Sequence, residues 1–297
     1  MVPPYKGFPM KTQGPLRVET PAKITPFLHI LAKRPDGYHE VCLALVAVDV
    51  YDTLLFQCDG KPGLRLDVVS SAPLGPIEEN LVYQAAMAFY RAAKIPPSGR
   101  IRLEKRIPAG AGLGGGSGNA AATLLALNRL NGTPLSMGDL TSLAAELGSD
   151  VPFFLNPVPS LARGRGEILT PLQSFPALWL VIVRPPLAIS TASAYRGITP
   201  EGPLTAPCPP PMATPQQVTA ALFNRFEESL LAEFPELNEI KAALKTQGAL
   251  GNLVSGSGSS VFGLFDGQKA QTLAVRGLNP LAQAKGWEVF PCRSLPG

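Results

Sequence analysis

The chain has 297 residues, 45% of them hydrophobic and 16% charged, a composition typical of a soluble globular protein with one large or two ordinary domains. The net charge is +4, and the basic residues form no runs with interleaved aromatic residues, so a nucleic-acid-binding face is not expected. Two histidines and four widely spaced cysteines argue against a histidine-built metal site, a zinc motif and a disulfide scaffold, which leaves unpaired thiols in a reducing cytoplasm as the expectation.

The N-terminal half begins with residues 1–16, whose prolines and glycines predict a flexible leader rather than a signal peptide. No apolar run approaches the length of a membrane span. Extended patterns before and after the turn signal PDG at residues 35–37 predict two strands. The segment EENLVYQAAMAFYRAAK predicts a helix, and RIRLEKRI predicts a half-exposed strand. The buried face expected for that helix consists of Leu81, Ala85, Ala88 and Phe89.

A glycine-rich segment follows, with six glycines in the nine positions from Gly110 to Gly118. The sequence NAAATLLALNRLNG predicts a helix that starts directly after this segment and ends with Gly132 in the C-terminal glycine position. Ser136 and Asp139 have the spacing of a capping box, which predicts that the next helix begins there.

The order and spacing of the predicted elements change in the C-terminal half. We therefore expect a domain boundary near residue 165, which separates residues 17–165 from residues 166–297. A buried strand, ALWLVIVRPP, precedes residues 198–217, whose prolines predict an exposed loop. Two helices are predicted next, VTAALFNRFEESLLAEF and PELNEIKAALKTQG, and then two strands around SGSGS, a helix and a last strand, WEVFPCR. This order fits an α+β fold with helices on one face of an antiparallel sheet.

The glycine-rich segment fits several known patterns to different degrees. A Walker A loop needs a lysine where Gly116 stands, so that pattern fails. Gly110, Gly112 and Gly115 match the dinucleotide pattern GxGxxG, but the preceding strand is amphipathic and no acidic residue ends a second strand about 20 residues on. A plain flexible loop does not explain why a helix follows at once. Because a helix N-terminus presents unpaired amides and a positive dipole end, the segment predicts a phosphate site, where the hydroxyl of Ser117 could meet phosphate or magnesium.

The segment PAGAGLGGGSGNAA also resembles the phosphate loop of the GHMP kinase superfamily. Further segments resemble this superfamily in the same order over residues 20–265: PAKITPFLHILAKRPDGYHE, LGSDVPFFL, GRGEILTPL and SGSGSSVFGLF. DGYHE and GLGGGSGNAA are the most specific of these segments. They resemble the corresponding segments of the kinases that act on a cytidylated methylerythritol, rather than those of the kinases that act on mevalonate or homoserine. The resemblance implies an α+β, two-domain GHMP kinase fold, with a ribosomal protein S5 domain 2-like N-terminal domain, a ferredoxin-like C-terminal domain and an active site in the cleft between them.

The resemblance also implies a function, the ATP-dependent phosphorylation of the 2-hydroxyl of the cytidylated methylerythritol in the non-mevalonate route to isoprenoids. ATP is then the co-substrate, magnesium is carried with ATP, and no metal is bound by the protein itself. The expected partner is this small molecule, with no nucleic acid and no membrane, and the expected form is a cytoplasmic monomer or weak homodimer. Two alternatives stay open: another small-molecule GHMP kinase, and a nucleotide-binding protein that has lost catalysis.

Two residues match the catalytic pair of the family. Asp150 is implied as the general base that takes the proton from the substrate hydroxyl. Lys23 is implied to stabilise the anionic aspartate and the charge that develops on the phosphate. Without the resemblance, a turn or capping aspartate before Pro152 and a solvated lysine at a strand edge are the simpler interpretations.

The remaining site residues are also implied by the resemblance. Those expected to bind ATP are Pro108, Ala109, Gly110, Ala111, Gly112, Leu113, Gly114, Gly115, Gly116, Ser117, Gly118 and, at the adenine, Asn80 and Leu81. Those expected to bind the alcohol substrate are Tyr38, His39, Thr25, Tyr195, Gly256 and Gly258. Tyr38 would stack on cytosine with Tyr195 on its other face, and His39 would hydrogen-bond the base. Asn80 could equally be a helix N-cap, and the two C-terminal glycines could form a plain hairpin; Asn224 and Glu227 also match the family and could be structural.

Three positions depart from the family pattern. Thr25 and Pro26 stand where the family has Asn and Leu, so the geometry beside Lys23 is expected to differ. Gly118 stands where a second serine is common, so one hydroxyl facing the phosphates is expected to be absent.

Overall fold

The structure, a computed structural model, describes residues 15–71, 73–196, 198–202, 210 and 212–296, with the side chains of residues 58–61 left undescribed. Most of the predicted leader, residues 1–16, and part of the predicted proline-rich loop therefore lie outside the described residues. Within the described part, no helix combines the length and apolar character needed to cross a membrane.

The strands follow the extended patterns of the sequence. In chain order they are β1 (Leu16–Lys33), β2 (His39–Val69), β3 (Ser98–Glu104), β4 (Ser160–Arg163), β5 (Ile168–Pro171), β6 (Trp179–Arg184), β7 (Phe223–Asn224), β8 (Gly251–Val254), β9 (Val261–Phe265) and β10 (Glu288–Arg293). Every predicted strand is confirmed, while the short strands β4, β5 and β7 were not predicted.

The helices are α1 (Leu81–Ala93), α2 (Gly115–Leu130), α3 (Met137–Leu147), α4 (Val151–Leu155), α5 (Thr191–Tyr195), α6 (Pro215–Ala220), α7 (Glu227–Glu233), α8 (Pro235–Thr246) and α9 (Gly267–Lys285). The predicted capping box is present at α3, where the side chain of Ser136 accepts from the Asp139 amide and the Asp139 carboxylate accepts from the Ser136 amide. On α1, Ala85 and Phe89 are buried as predicted, but Leu81 and Ala88 are only half-buried.

The first sheet is mixed, and the sequence carried no expectation about the direction of its strands. Its order is β5-β4-β2-β1-β7, and β3 also pairs with β2. The β2–β3 and β1–β7 pairs are parallel. Helix α1 lies between β2 and β3 in the chain, and it supplies the crossover that a parallel pair requires. The second sheet, in the order β10-β6-β9-β8, is antiparallel as predicted.

Contacts divide the described chain into two compact units. Unit 1 falls within Met1–Ala22, Val50–Ala109 and Gly114–Pro157, and it contains helices α1 to α4 together with β3. Unit 2 falls within Lys23–Asp49, Gly110–Leu113 and Val158–Gly297, and it contains the antiparallel sheet, on which α8 and α9 pack. The chain thus passes between the units several times, so these units do not test the single boundary predicted near residue 165, which stays a prediction.

The segment VTAALFNRFEESLLAEF does not form the single helix that its spacing predicts. Helix α6 ends at Ala220, β7 follows, and α7 begins only at Glu227. The break is stabilised by tertiary contacts, because Phe223 and Asn224 pair in parallel with Phe27 and Leu28 of β1. The start of α6 at Pro215 also shortens the predicted proline-rich loop from its C-terminal side.

The cysteines differ from the expectation of unpaired thiols. Cys42 is disulfide-bonded, whereas Cys292 is a buried free thiol whose pKa is raised by burial and by the nearby charge of Asp49. Sequence spacing alone could not indicate that Cys42 is disulfide-bonded, because a disulfide depends on the distance between two cysteines in the fold.

Candidate active site

Lys23 lies in β1 of unit 2, and its ammonium group is buried, since the residue is only 5% exposed. Its Nζ donates hydrogen bonds to the carbonyl oxygen of Gly112 at 2.9 Å and to Oγ1 of Thr25 at 3.2 Å. A buried ammonium needs such partners because an unpaired buried charge is costly. The alternative of a solvated lysine at a strand edge is therefore wrong. Thr25 still offers Lys23 an oxygen, and its own burial leaves it little surface for the predicted contact with substrate.

The main chain at Gly112 packs directly against the loop between β8 and β9. A Cβ atom at Gly112 would overlap the carbonyl oxygen of Ser255, and φ here is +73°, so only glycine fits. The hydroxyl of Ser255 donates to the Gly112 carbonyl at 3.1 Å, and the Ser260 amide donates to the carbonyl of Ala111 at 3.2 Å. Lys23 and Ser255 thus share one acceptor, and the close approach that requires Gly112 is made by protein backbone.

Asn224 and Glu227 hold the second glycine motif in place. The Asn224 amide donates to the carbonyl oxygens of Val254 and Gly256, both at 2.8 Å, and its oxygen accepts from the Phe226 amide at 3.0 Å. Glu227 accepts from the Val254 amide at 3.0 Å. The loop so held lies beside Lys23, because a Cβ on Gly256 would be 3.4 Å from Lys23 Nζ. These contacts support a structural role for Asn224 and Glu227, the role that the sequence left open.

The residues predicted to bind the nucleobase make two separate contacts in unit 2, a ring stack and a cation–π contact. The rings of His39 and Tyr195 stack with centroids 4.8 Å apart, and Tyr195 also meets Phe226 edge-on. Tyr38 is 50% exposed, and the guanidinium of Arg165 lies over its ring at 4.7 Å. Tyr195 therefore contacts His39, and the predicted sandwich of a base between Tyr38 and Tyr195 stays a prediction. Arg165 lies in the segment GRGEILTPL, and no pattern in the sequence marks it as a site residue.

The pKa of His39 is lowered below its usual value of 6.5 by burial and, to a lesser extent, by the charge of Lys33. The ring is then neutral at pH 7, with one donor and one acceptor nitrogen, which suits the edge of an uncharged base. Because the unfolded chain binds this proton more readily, His39 makes stability rise with pH between its folded pKa and 6.5, and it has no effect above that.

We expect an NMR titration of the full chain to place the His39 midpoint below 6.5. The variant Lys33→Gln should move it upward, because it removes a repulsive charge, whereas Lys269→Gln, which removes an exposed lysine of α9, should leave it in place. A midpoint at or above 6.5 in the wild-type chain contradicts the assignment of a neutral ring.

Unit 1 holds the helix end predicted to bind phosphate. Helix α2 begins earlier than predicted, inside the glycine-rich segment, with Gly114 in the left-handed region at φ +68° before it. The first amides of a helix have no acceptor within the helix, so the turn from Gly115 to Ser117 points donors outward. Leu81 packs here, since its Cδ1 lies 3.3 Å from a Cβ placed on the exposed Gly116. Asn80 caps α1 by accepting from the Val82 amide at 3.0 Å, which confirms its capping role; its contact with adenine stays a prediction.

Gly118 does not fit the role expected for it. Its amide donates to the carbonyl of Gly114 at 2.9 Å within the helix, and the residue is buried. A Cβ at this position would lie 2.5 Å from Oγ1 of Thr20 and 3.3 Å from the ring of Phe154. A serine here would thus point into the packing of unit 1, so the expectation of a hydroxyl missing from the phosphate face is corrected.

Thr20 is fully buried, and within the described residues its Oγ1 has no hydrogen-bond partner. A buried unpaired hydroxyl costs about 1–3 kcal/mol. We therefore expect Thr20→Val to raise the free energy of unfolding by about 1 kcal/mol in urea denaturation. Thr123→Val is the matched control, because the equally buried Oγ1 of Thr123 donates to the Asn119 carbonyl at 2.8 Å. The control should not gain stability, and equal gains in both variants would contradict the argument.

Asp150 stands at the start of α4 but does not cap it. The residue is half-buried, with φ −84° and ψ −14°, and its side chain accepts no hydrogen bond from the amides of α4. Pro152 in the first turn removes one of the amides that a cap would satisfy. The capping half of the alternative is therefore wrong, whereas Asp150 does lie in the turn that precedes α4.

Sequence reasoning missed a buried carboxylate, Asp52, which is bonded to Lys105 and Asn119 beside the start of α2. A signal was present in the segment VAVDVYDTLLF, because an acid within an otherwise apolar strand must find partners when buried. Among the described residues, no group of three or more His, Cys, Asp or Glu side chains could hold a metal ion.

Comparisons with known proteins identify the family. The model described as GHMP kinases N terminal domain matches residues 80–156, and the one described as GHMP kinases C terminal matches residues 216–279. A curated relative from Pelotomaculum thermopropionicum, 4-diphosphocytidyl-2-C-methyl-D-erythritol kinase, is 44% identical over 262 residues, covering 86% of this chain and 91% of the relative. The chain belongs to the 4-diphosphocytidyl-2-C-methyl-D-erythritol kinase family. It is a GHMP family kinase, as the glycine-rich segment and the DGYHE motif indicated.

A solved structure at 36% identity agrees with this family assignment, and a more distant one shares the fold. A crystal structure of 4-(cytidine 5'-diphospho)-2C-methyl-D-erythritol kinase matches with a TM-score of 0.77 and 36% identity, covering 95% of this chain and all of the other (100%). Homoserine kinase from Cytophaga hutchinsonii matches with a TM-score of 0.70 at 20% identity, covering 98% of each chain, and this likeness concerns the fold alone. The predicted two-domain GHMP kinase fold is confirmed.

Proposed function

We propose that this chain transfers the γ-phosphoryl group of ATP to the 2-hydroxyl of 4-diphosphocytidyl-2-C-methyl-D-erythritol, giving the 2-phosphate and ADP in the non-mevalonate route to isoprenoids. Membership of the kinase family, at 44% identity over most of the chain, is the observation that carries the proposal. The substrate class is narrowed by the DGYHE segment, whose tyrosine and histidine supply an exposed ring and a neutral imidazole.

Phosphoryl transfer depends on positioning and charge stabilisation more than on covalent chemistry. In the proposed reaction the substrate oxygen forms a bond to the γ-phosphorus, the bond to the β-phosphate oxygen breaks, and the hydroxyl proton passes to the carboxylate of Asp150. The ammonium of Lys23 offsets the charge that develops on the transferring group. The amides of the first turn of α2, from Gly115 to Ser117, hold the phosphates of ATP.

The acceptor side recognises the cytidine group in this proposal. Tyr38 has an exposed ring on which a base can stack, and stacking contributes about 1–3 kcal/mol per base. His39 is held against Tyr195, and its uncharged ring offers the base edge a donor and an acceptor. Gly256 and Gly258, both at positive φ, are proposed to bring main chain to the substrate.

Magnesium is proposed to arrive with ATP. Mg²⁺ is usually held by one or two protein oxygens together with substrate phosphates, and the triphosphate supplies the hard oxygen ligands that the ion prefers. When bound, the ion would neutralise part of the phosphate charge. Ser117 lies half-buried in the first turn of α2. Its hydroxyl is the side-chain oxygen of this chain that is proposed to approach the ion.

The proposal is tested by measuring ADP release from the purified full chain with a panel of alcohols: the cytidylated methylerythritol, mevalonate, homoserine and a hexose. We expect turnover only with the first. Turnover with another alcohol alone would identify a different GHMP kinase, and binding of ATP without turnover of any alcohol would identify a protein that has lost catalysis. Both results contradict the proposal.

A further inference from the structure

Asp52 lies in the part of β2 that belongs to unit 1, and its side chain is fully buried. Its Oδ1 accepts hydrogen bonds from the amides of Arg106 at 2.7 Å and Ile107 at 2.8 Å. Its Oδ2 accepts from Nδ2 of Asn119 at 3.0 Å and pairs with the ammonium of Lys105, whose side chain is 6% exposed. Four donors meet the four lone-pair positions of one carboxylate, so its hydrogen-bonding capacity is filled.

These donors come from both sides of the glycine-rich segment. Lys105, Arg106 and Ile107 lie a few positions before it in the chain, and Asn119 follows it in α2. One carboxylate therefore ties the residues that enter the segment to the helix that leaves it. Glycine loses more conformational freedom on folding than any other residue, so a glycine-rich segment is costly to order. Fixing both ends of the segment reduces the number of conformations that it can adopt.

The packing around Gly115 supports the same interpretation independently. A Cβ atom on Gly115, the first residue of α2, would lie 2.8 Å from Cγ2 of Ile107 and 2.9 Å from Nζ of Lys105. The start of the helix thus rests directly on the residues that Asp52 holds. A positive ammonium beside the positive end of a helix is unfavourable unless it is neutralised, and Asp52 supplies the negative charge.

We propose that Asp52 is a positioning residue for the nucleotide: by fixing residues 105–107 and Asn119, it holds the first turn of α2 in the orientation that receives the phosphates of ATP. The inference rests on the proposed function, in which those amides bind ATP. It assigns Asp52 no contact with ATP or with the alcohol. A loss of Asp52 should therefore weaken ATP binding and leave the alcohol site unchanged.

The test compares the full chain with Asp52→Asn, which keeps the shape of the side chain but loses its charge and one acceptor oxygen. We expect KM for ATP and the dissociation constant of a non-hydrolysable ATP analogue, measured by calorimetry, to rise about ten-fold or more. The KM for the alcohol should change less than about two-fold. Exchange of the Arg106 and Ile107 amide protons should become faster in the variant.

Leu140→Ala is the control for a purely structural effect, because it removes buried carbon from α3 of the same unit. It should lower stability without raising the dissociation constant of the analogue. If Asp52→Asn does not fold, Asn119→Ala removes one neutral donor to Asp52 and should raise the same constant about three-fold.

Three outcomes separate this inference from the proposed function. If Asp52→Asn folds and binds the analogue as tightly as wild type, or weakens ATP and alcohol equally, the positioning role is overturned. If the wild-type chain binds the analogue but phosphorylates no alcohol, the proposed function fails while the comparison of the two dissociation constants still decides the role of Asp52. If the wild-type chain binds no nucleotide, both are overturned.

Discussion

Asp150→Asn is expected to lower turnover by about 10²–10⁴-fold while the affinity for ATP stays within about two-fold of wild type. The amide has the shape of the carboxylate but cannot take up the hydroxyl proton at neutral pH. The fold should tolerate the change, because asparagine has nearly the same size and shape as aspartate. Single-turnover kinetics at saturating ATP, with the analogue affinity measured separately, tests both parts of the expectation.

Asp139→Asn is the matched control, since the same substitution then falls on an aspartate that does cap a helix. Asp139 accepts from both the amide and the hydroxyl of Ser136, and its pKa is lowered by these bonds, the hydroxyl first. Its loss should lower the free energy of unfolding and leave turnover unchanged. Normal turnover in Asp150→Asn would remove Asp150 from the mechanism, and a large loss of ATP affinity would point to a binding role instead.

The elements of this fold were predictable where one local pattern dominates. The buried strand ALWLVIVRPP, the helix that ends shortly before Gly132 and the capping box at Ser136 follow from periodicity and end signals alone. The pattern misled in VTAALFNRFEESLLAEF, where helical spacing competes with pairing to β1 and with the hydrogen bonds of Asn224. Those partners lie far away in the sequence, so no local sequence pattern indicates them.

The candidate site was predictable as a set of motifs but not as a set of contacts. Glycine and the helix that follows predict a phosphate site at α2, and the resemblance adds Lys23 and Asp150. The atoms that lie beside each glycine depend on the tertiary structure. The main chain of Gly112 packs on Ser255, and a Cβ at Gly118 would meet Oγ1 of Thr20. A sequence can show that a position must be glycine without showing whether a ligand, a backbone or a side chain occupies the space.

Lys23→Met is the second large effect, with an expected loss of about 10²–10³-fold in turnover, the magnitude typical of removing one group that stabilises charge in the transition state. Methionine keeps the length and apolar stem of the side chain but loses the ammonium. The Gly112 carbonyl keeps a donor in this variant, because Ser255 Oγ lies 3.1 Å from it, so the loop should hold its position. Unfolding in urea should show little change, and turnover with the cytidylated alcohol measures the loss.

Two further variants decide whether the charge or the packing of Lys23 matters. Thr25→Val removes an acceptor for Lys23 but keeps the ammonium and its 2.9 Å bond to Gly112, so it should cost about ten-fold or less. Lys285→Met removes an exposed lysine paired with Glu239 and should change nothing, because exposed ion pairs contribute little. A turnover for Lys23→Met equal to that of Lys285→Met would show that the ammonium does not act on the transferring group. A loss in Thr25→Val as large as in Lys23→Met would instead make the orientation of the lysine, rather than its charge alone, the quantity that limits the rate.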